Sequence, residues 1–561
     1  MTVAPPLPRP PAESAAARLF HRELDHYPEN GPRYRNLALI VLATVSLYFM
    51  IYVAPAVAVS MMKSFDMSYG FLAAASLLGG LAGAIAALAA GLADRWGRAN
   101  IVAYGLLFVG LITTFAVPYA PNKETFLLLS VLAGFVEGLI LVASPTMVRD
   151  FSPQLGRATA MGLWNTGPVL GSLVVAVVAS LTLDTSSWQD VIRYAGGTGI
   201  VVAVLAIIGL RDLAPAIRNQ VIVSTHDRDL IEARGAEPAE PQERPSLRSV
   251  LRADVVLPAV GVGFSLLFYL TMVGNSVIFF VVVHDWPEQR ANSLNNWAWA
   301  AQALALVGAG VLSDRLRVRK PFILLGSLAS LAVMCFFATI ATDKDTSYAT
   351  FVGTLVVLGI VGSVSYGPWL AGYTENIERH GPAATIVGLA IWGWATRLIM
   401  VMAAISIAVI VSGITPIVEH GTDVDDAERR AGPALAIIAE DPALFTELGK
   451  YPRDQIPPEL AVRAVAEVGL QRLGVVTAAT DDLAVLAEFG PEVAAAERDL
   501  PGQWQTWFWV CVIGQLVFLP TVFLIRGRWS PRRAAEDFDK HEREVSRELD
   551  DLARTGHDRT R

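Results

Sequence analysis

Gly91-Leu92-Ala93-Asp94-Arg95-Trp96-Gly97-Arg98 and Gly310-Val311-Leu312-Ser313-Asp314-Arg315-Leu316-Arg317-Val318-Arg319-Lys320 are two copies of one short charged pattern, one in each half of the chain. Each copy follows a long apolar stretch and precedes another. The same polar turn, set at matching places between membrane-length apolar runs, reads as a membrane protein built twice from one half.

The bulk composition agrees. The chain has 561 residues, 53% of them hydrophobic and only 17% charged, with a mean hydropathy of +0.46. A bilayer core about 30 Å thick takes roughly 20 apolar residues per helix. Such runs lie at 37–62, 70–93, 99–119, 124–148, 157–182, 189–210, 255–283, 293–313, 321–341, 348–372, 383–413 and 504–525. The expected fold class is therefore an all-α polytopic membrane protein of twelve spans in two six-helix halves, 37–210 and 255–413 with 504–525. Cys335 and Cys511 both fall inside apolar spans, where they read as small hydrophobes and suggest no disulfide framework.

Twelve spans put both termini on one side, and Lys and Arg in the short loops decide which. Arg95, Arg98, Arg149, Arg157, Arg315, Arg317, Arg319, Lys320 and Arg379 share one face, against Lys63, Lys123, Arg193, Arg290 and Lys344 on the other. The positive-inside rule makes the richer face cytoplasmic, in a cell membrane, together with the tails 1–36 and 526–561. The first 36 residues show no short apolar core with a cleavage site, so the first span is expected to direct insertion itself.

Two polar segments interrupt the pattern. Segment 211–254 is charged, carries Pro238, Pro241 and Pro245, and reads as a cytoplasmic tether between the halves. Segment 414–503 holds 17 acids against 7 bases and should lie on the opposite face. Its pieces 433–449, 458–474 and 480–498 space Ala, Leu and Val like short amphipathic helices with Pro near their starts. A small extracytoplasmic cap, a protein-partner module and an acidic linker all fit this segment.

The arrangement Gly-x-Leu-x-Asp-Arg, followed by further Arg or Lys, between the second and third spans of each half resembles the signature loop of the major facilitator superfamily. The resemblance extends to span count and the division into halves. It implies a secondary transporter working by alternating access, with gating residues Asp94, Arg95 and Arg98 in one half and Asp314, Arg315, Arg319 and Lys320 in the other. Physically, such an Asp can face the positive N-terminus of a neighbouring helix. This chain has Ala90 where the leading Gly is usual and Arg317 in place of a second Gly, so the second turn is expected to be less tight. Gly162-Leu163-Trp164-Asn165-Thr166-Gly167-Pro168-Val169-Leu170-Gly171 in the fifth span is similar to the Gly-Pro motif of the superfamily's exporters. Gly162, Gly167, Pro168 and Gly171 are then helix-packing residues, small enough for close contact and able to kink the span.

Two ionisable side chains stand away from the ends of the spans: Glu137 in the fourth and Arg397 in the eleventh. Each costs a few kcal/mol at the bilayer centre, which directs both toward a watery cavity or toward each other. A carboxyl in that setting can carry a coupling proton, whereas Arg stays charged and suits an anionic substrate group, Glu137, or the face of Trp394. A static Glu137–Arg397 bridge is the structural alternative. Glycines beside Glu137 suggest room around its carboxyl. Tyr48, Tyr52, Asn165, Tyr269, Asn275, Tyr366 and Trp369 are the remaining candidates for lining a cavity.

Other classes fit poorly. No Gly-x-x-x-x-Gly-Lys-Ser/Thr occurs, since the lone Gly-Lys is Gly449-Lys450 before Tyr451. Metal-ligand spacing, a Ser-His-Asp set and a filter-like loop are absent. No cofactor, enzymatic role or nucleic-acid partner is expected. Proton-driven export of small organic or amphipathic compounds leads, uptake of an organic anion follows, and a non-transporting scaffold acting through 414–503 is the reading from another class.

Overall fold

A computed structural model describes residues 20 and 22–559 apart from 90–95, 183–185, 219, 225–226, 228–229, 231–246 and 452–454. Among these residues the chain is helical throughout, with one two-residue strand pair. The first half comprises α1 (Asn30–Ala56), α2 (Tyr69–Leu88), α3 (Arg98–Leu111), α4 (Lys123–Asp150), α5 (Arg157–Thr182) and α6 (Trp188–Gly209). The second comprises α7 in two pieces (Ala253–Ser265 and Leu267–His284), α8 (Glu288–Leu316), α9 (Lys320–Ile340), α10 (Tyr348–Glu378), α11 (Thr385–Ile410) and α12 (Thr480–Thr521). A last helix, α13 (Pro531–Arg559), is polar along its length.

Nine helices among the described residues are long and apolar enough to cross a membrane. The other three expected spans fall on α5, α8 and α12. The last two carry polar or acidic turns ahead of their apolar parts, Glu288-Gln289-Arg290 in α8 and Asp481-Asp482 in α12. Lipid offers no hydrophobic drive between helices, so backbone proximity at small residues does the joining. Gly171 meets Tyr48 and Gly167 meets Thr44, seating α5 on α1.

The chain divides into two compact units. The larger holds residues 1–67, 71–405 and 508–561, and the smaller 68–70 with 406–507. In the smaller unit the helices are Thr422–Glu440, Pro442–Leu448, Pro458–Val468 and Leu470–Ala478, followed by the start of α12. Leu444, Leu460 and Ala464 make one small core there, and Ala431, Ala434 and Ala479 another. Pro442 and Pro458 open helices as expected, but Pro433 lies inside one. Burial of Ala431, Ala434 and Ile437 on either side holds that helix together despite the lost backbone bond. The boundary expected at 503/504 also falls inside α12, which runs unbroken through Pro491 and Pro501.

Chain segments remote in sequence meet at the basic end of the larger unit. Strand β1 (Glu23–Leu24) pairs in parallel with β2 (Asp212–Leu213), tying the N-terminal tail to the chain leaving α6. Arg22 donates to the Ala206 and Ile207 carbonyls at 3.0 and 2.9 Å, satisfying the C-terminus of α6, and to Asn100 on α3 at 2.6 Å.

Candidate functional site

The basic end is where the two halves are clasped. Asp314, at the end of α8, accepts from the backbone N–H groups of Thr159 and Ala158 at 2.8 and 3.3 Å and from the Thr159 hydroxyl at 2.6 Å. Its carboxylate thus sits on the first turn of α5 in the opposite half, where free N–H groups and the helix dipole favour an anion. Arg319 holds it from behind at 2.7 Å, reaches Glu375 at 3.1 Å and donates to the Gln154 carbonyl at 2.7 Å. Arg98 pairs with Asp150 within its own half, buried. Arg315 is exposed with no described partner, and Lys320 lies over the Trp529 ring at 4.9 Å. Asp94 and Arg95 lie outside the described residues.

The two copies can be compared at one position of the turn. Arg317 adopts φ +56° where the first copy has Gly97 at φ +80°. A non-glycine there is strained by about 1 kcal/mol or more. Here the guanidinium is packed over the Phe538 ring of α13, 4.0 Å from its centre. The Gly97 position is closed for another reason as well: a Cβ there would come 3.0 Å from Asp212, whose carboxylate accepts from the Ala99 N–H at the start of α3.

Sequence reasoning passed over the strongest contact. Glu378, the last residue of α10, is buried between Arg149 and Arg157, with Arg157 at 2.7 Å and the Gln154 amide at 3.0 Å. From sequence the two arginines read only as charges that orient the chain. The signal was present in the position of Glu378, which ends a long apolar helix just as Asp150 ends α4. The linker reinforces this region. Arg149 donates to the Arg218 and Gln220 carbonyls, and the N–H groups of Gln154 and Leu155 donate to Ile222 and Val223 at 2.8 and 3.0 Å. On the linker, Asp227 bonds His541 at 2.8 Å and Ser224 bonds Glu542 at 2.6 Å, both on α13.

Away from the basic end, six of the candidates come together. Tyr48 and Tyr52 from α1, Glu137 from α4, Tyr269 from α7, Tyr366 from α10 and Arg397 from α11 are electrostatic neighbours drawn from both halves. All six are half-buried. The Tyr48 and Tyr52 rings pack at a tilt of 38° with centres 5.4 Å apart. Arg397 folds back to donate to the Gly393 carbonyl at 3.2 Å and forms no ion pair within 4.0 Å among the described residues. Glu137 has no hydrogen-bond or ion-pair partner among them either. The pair is close enough to interact but is not a contact salt bridge, and the guanidinium does not cover Trp394.

The glycines flanking Glu137 serve packing. A Cβ on Gly134 or Gly138 would strike the backbone of Gly79 or Gly83 on α2, so these residues bring α4 against α2 rather than clearing space at the carboxyl. Gly162 does the same between halves, where an added Cβ would come 2.5 Å from the Leu306 carbonyl of α8. Pro168 lies within α5 without ending it. Trp369 is fully buried, stacked between Tyr366 and Tyr373. Asn165 is buried, while Asn275 and Trp394 are half-buried, the latter packed on the core.

Two helical halves clasped by charge at one end, with an acid and a base among tyrosines between them, define a membrane transporter of solutes. The profile described as Major Facilitator Superfamily matches residues 39–400, and the chain belongs to that family. It is 24% identical over 399 residues, 63% of this chain and 86% of the relative, to the 4-hydroxybenzoate transporter PcaK of Pseudomonas aeruginosa. It is 25% identical to the probable anion transporter 3, chloroplastic, of Arabidopsis thaliana, over 40% of this chain and 44% of that protein. The proton:xylose symporter XylE shares the fold, with a TM-score of 0.56, 14% identity, and coverage of 68% of this chain and 90% of that one. The chain is thus a secondary transporter, not an enzyme.

Proposed function

We propose that the chain carries small organic anions across the cell membrane coupled to protons, by alternating access. The observation that carries this reading is Arg397, a guanidinium at the middle of the bundle with no ion-pair partner among the described residues. Arg stays protonated in proteins, and a charge in such a place calls for a counter-charge, which a substrate carboxylate would supply. The four tyrosines offer aromatic faces and hydroxyls beside it. Glu137, the other ionisable group of the site, is the proton carrier, and the membrane potential adds roughly 2.3 kcal/mol per charge per 100 mV. The names of the relatives, one a 4-hydroxybenzoate and one an anion transporter, support the substrate class. The basic end is then cytoplasmic, with both termini there, and its clasp is the inner gate.

Proton-driven export of small amphipathic compounds is the second reading, favoured by the Gly162–Gly171 run. Proteoliposomes with an imposed pH gradient separate the two. An anion carrier loses substrate affinity with Arg397→Lys and loses proton dependence, but not binding, with Glu137→Gln. If Arg397→Lys binds and moves aromatic carboxylates like the wild type, the anion reading fails.

A further inference from the structure

We propose a binding site for a small inorganic anion of halide size at the basic end, between the end of α4, the start of α5 and the segment following α6. A cavity there is walled by the guanidinium-bearing residues Arg149, Arg157 and Arg218, one acid, Asp150, and the apolar Leu213 and Ile217. It has room for about one water-sized sphere, which suits a monatomic ion and not a phosphate. The acid is already committed, held by both Arg98 and Arg149. Glu378 holds Arg149 and Arg157 from the other half.

Arg157 is the most telling wall. Its side chain is 1% exposed, and its two terminal nitrogens bond Glu378 and the Ser152 carbonyl, yet its Nε has no acceptor. Tyr27, an electrostatic neighbour of Arg157, is engaged with Arg33 through its hydroxyl and lies outside the cavity wall. Buried donors are normally satisfied, and an unsatisfied guanidinium N–H among three arginines is the arrangement an anion completes. Asp212 also faces Arg98 and Arg218, and its carboxylate is engaged by the Ala99 N–H at the start of α3.

The location gives the ion a consequence. When Glu378 leaves with its half, Arg149 and Arg157 lose a partner, and a bound halide keeps them neutralised. Halide therefore favours opening of the basic end; this clause alone rests on the transport reading, and binding itself does not.

The test uses the purified full-length chain in detergent at constant ionic strength. Thermal unfolding is followed in sodium chloride, bromide, phosphate and gluconate. The expected result is a saturable rise in Tm with chloride and bromide only. Arg218→Gln should weaken the apparent halide affinity by roughly tenfold, the scale of one lost charged hydrogen bond. Ile217→Trp, which fills the cavity and removes no charge, should abolish the halide shift. Equal Tm in chloride and gluconate, an equal shift with phosphate, or an unchanged halide response in both variants overturns the site. Flux in proteoliposomes, with chloride or gluconate at the basic end, is measured separately. Loss of a halide effect there, with the Tm response intact, overturns only the gating consequence.

Discussion

On the alternating-access reading proposed above, the Glu378 clasp sets the balance between closed and open forms of the basic end, and its charge can be removed without changing its shape. Glu378→Gln keeps one carbonyl acceptor but leaves Arg149 and Arg157 facing a neutral amide, with both guanidinium side chains no more than 4% exposed. Removing one partner of a buried ion pair costs about 3–5 kcal/mol. The surviving hydrogen bond places this change at the lower end, about 3 kcal/mol, or roughly 100-fold in the population of the open form. The assay is alkylation of a single cysteine at Ala158, fully buried beneath the Asp314 contact, in a background lacking Cys335 and Cys511. A cysteine at Ala103, fully buried within α3, reports general loosening. Glu378→Gln should speed alkylation at 158 by roughly two orders of magnitude and leave 103 unchanged. Rates within twofold of the wild type at 158, or equal acceleration at both positions, would refute the argument that this carboxylate holds the halves together.

Other outcomes follow from the same contacts. Gly162→Ala puts a methyl 2.5 Å from the Leu306 carbonyl, so α5 and α8 cannot close as they do, and alkylation at 158 should rise as it does for Glu378→Gln. Asp212 titrates with its folded-state pKa raised to about 6 by burial. A raised carboxyl contributes full stability only below its unfolded value and loses it as pH rises through the folded one, so the carboxylate costs up to about 3 kcal/mol at neutral pH. Asp212→Asn, which can still accept from the Ala99 N–H, should gain Tm over the wild type progressively from pH 4 to pH 7; a constant difference would contradict this. Leu444→Ala in the smaller unit empties a fully buried position and should destabilise that unit by about 2–4 kcal/mol, read as faster amide exchange across 441–468.

The membrane character and the pairing of halves were legible because apolar length and repeated polar turns are one-dimensional properties. Asp314 was legible for the same reason: an acid at the end of one span must find a positive end nearby, and the N-terminus of α5 provides it. Glu137 and Arg397 stood out because charge inside an apolar run is conspicuous. Their separation was not legible, since whether two such groups touch depends on how far α4 and α11 lie apart. The glycines beside Glu137 show the same limit. Sequence marks them as small, and only the approach of α2 shows that the missing side chain makes way for backbone.

By itself the sequence determined which stretches leave water, where the polar turns fall and which charges cannot rest in lipid, since each follows from local transfer free energy. Tertiary structure decided which charges meet. Glu378 with Arg149 and Arg157, β1 with β2, and α13 with the linker join residues hundreds of positions apart in the sequence. No local propensity encodes such pairs; they arise when packed helices bring buried donors and acceptors within bonding distance, and a low-dielectric interior penalises those that fail to find one another.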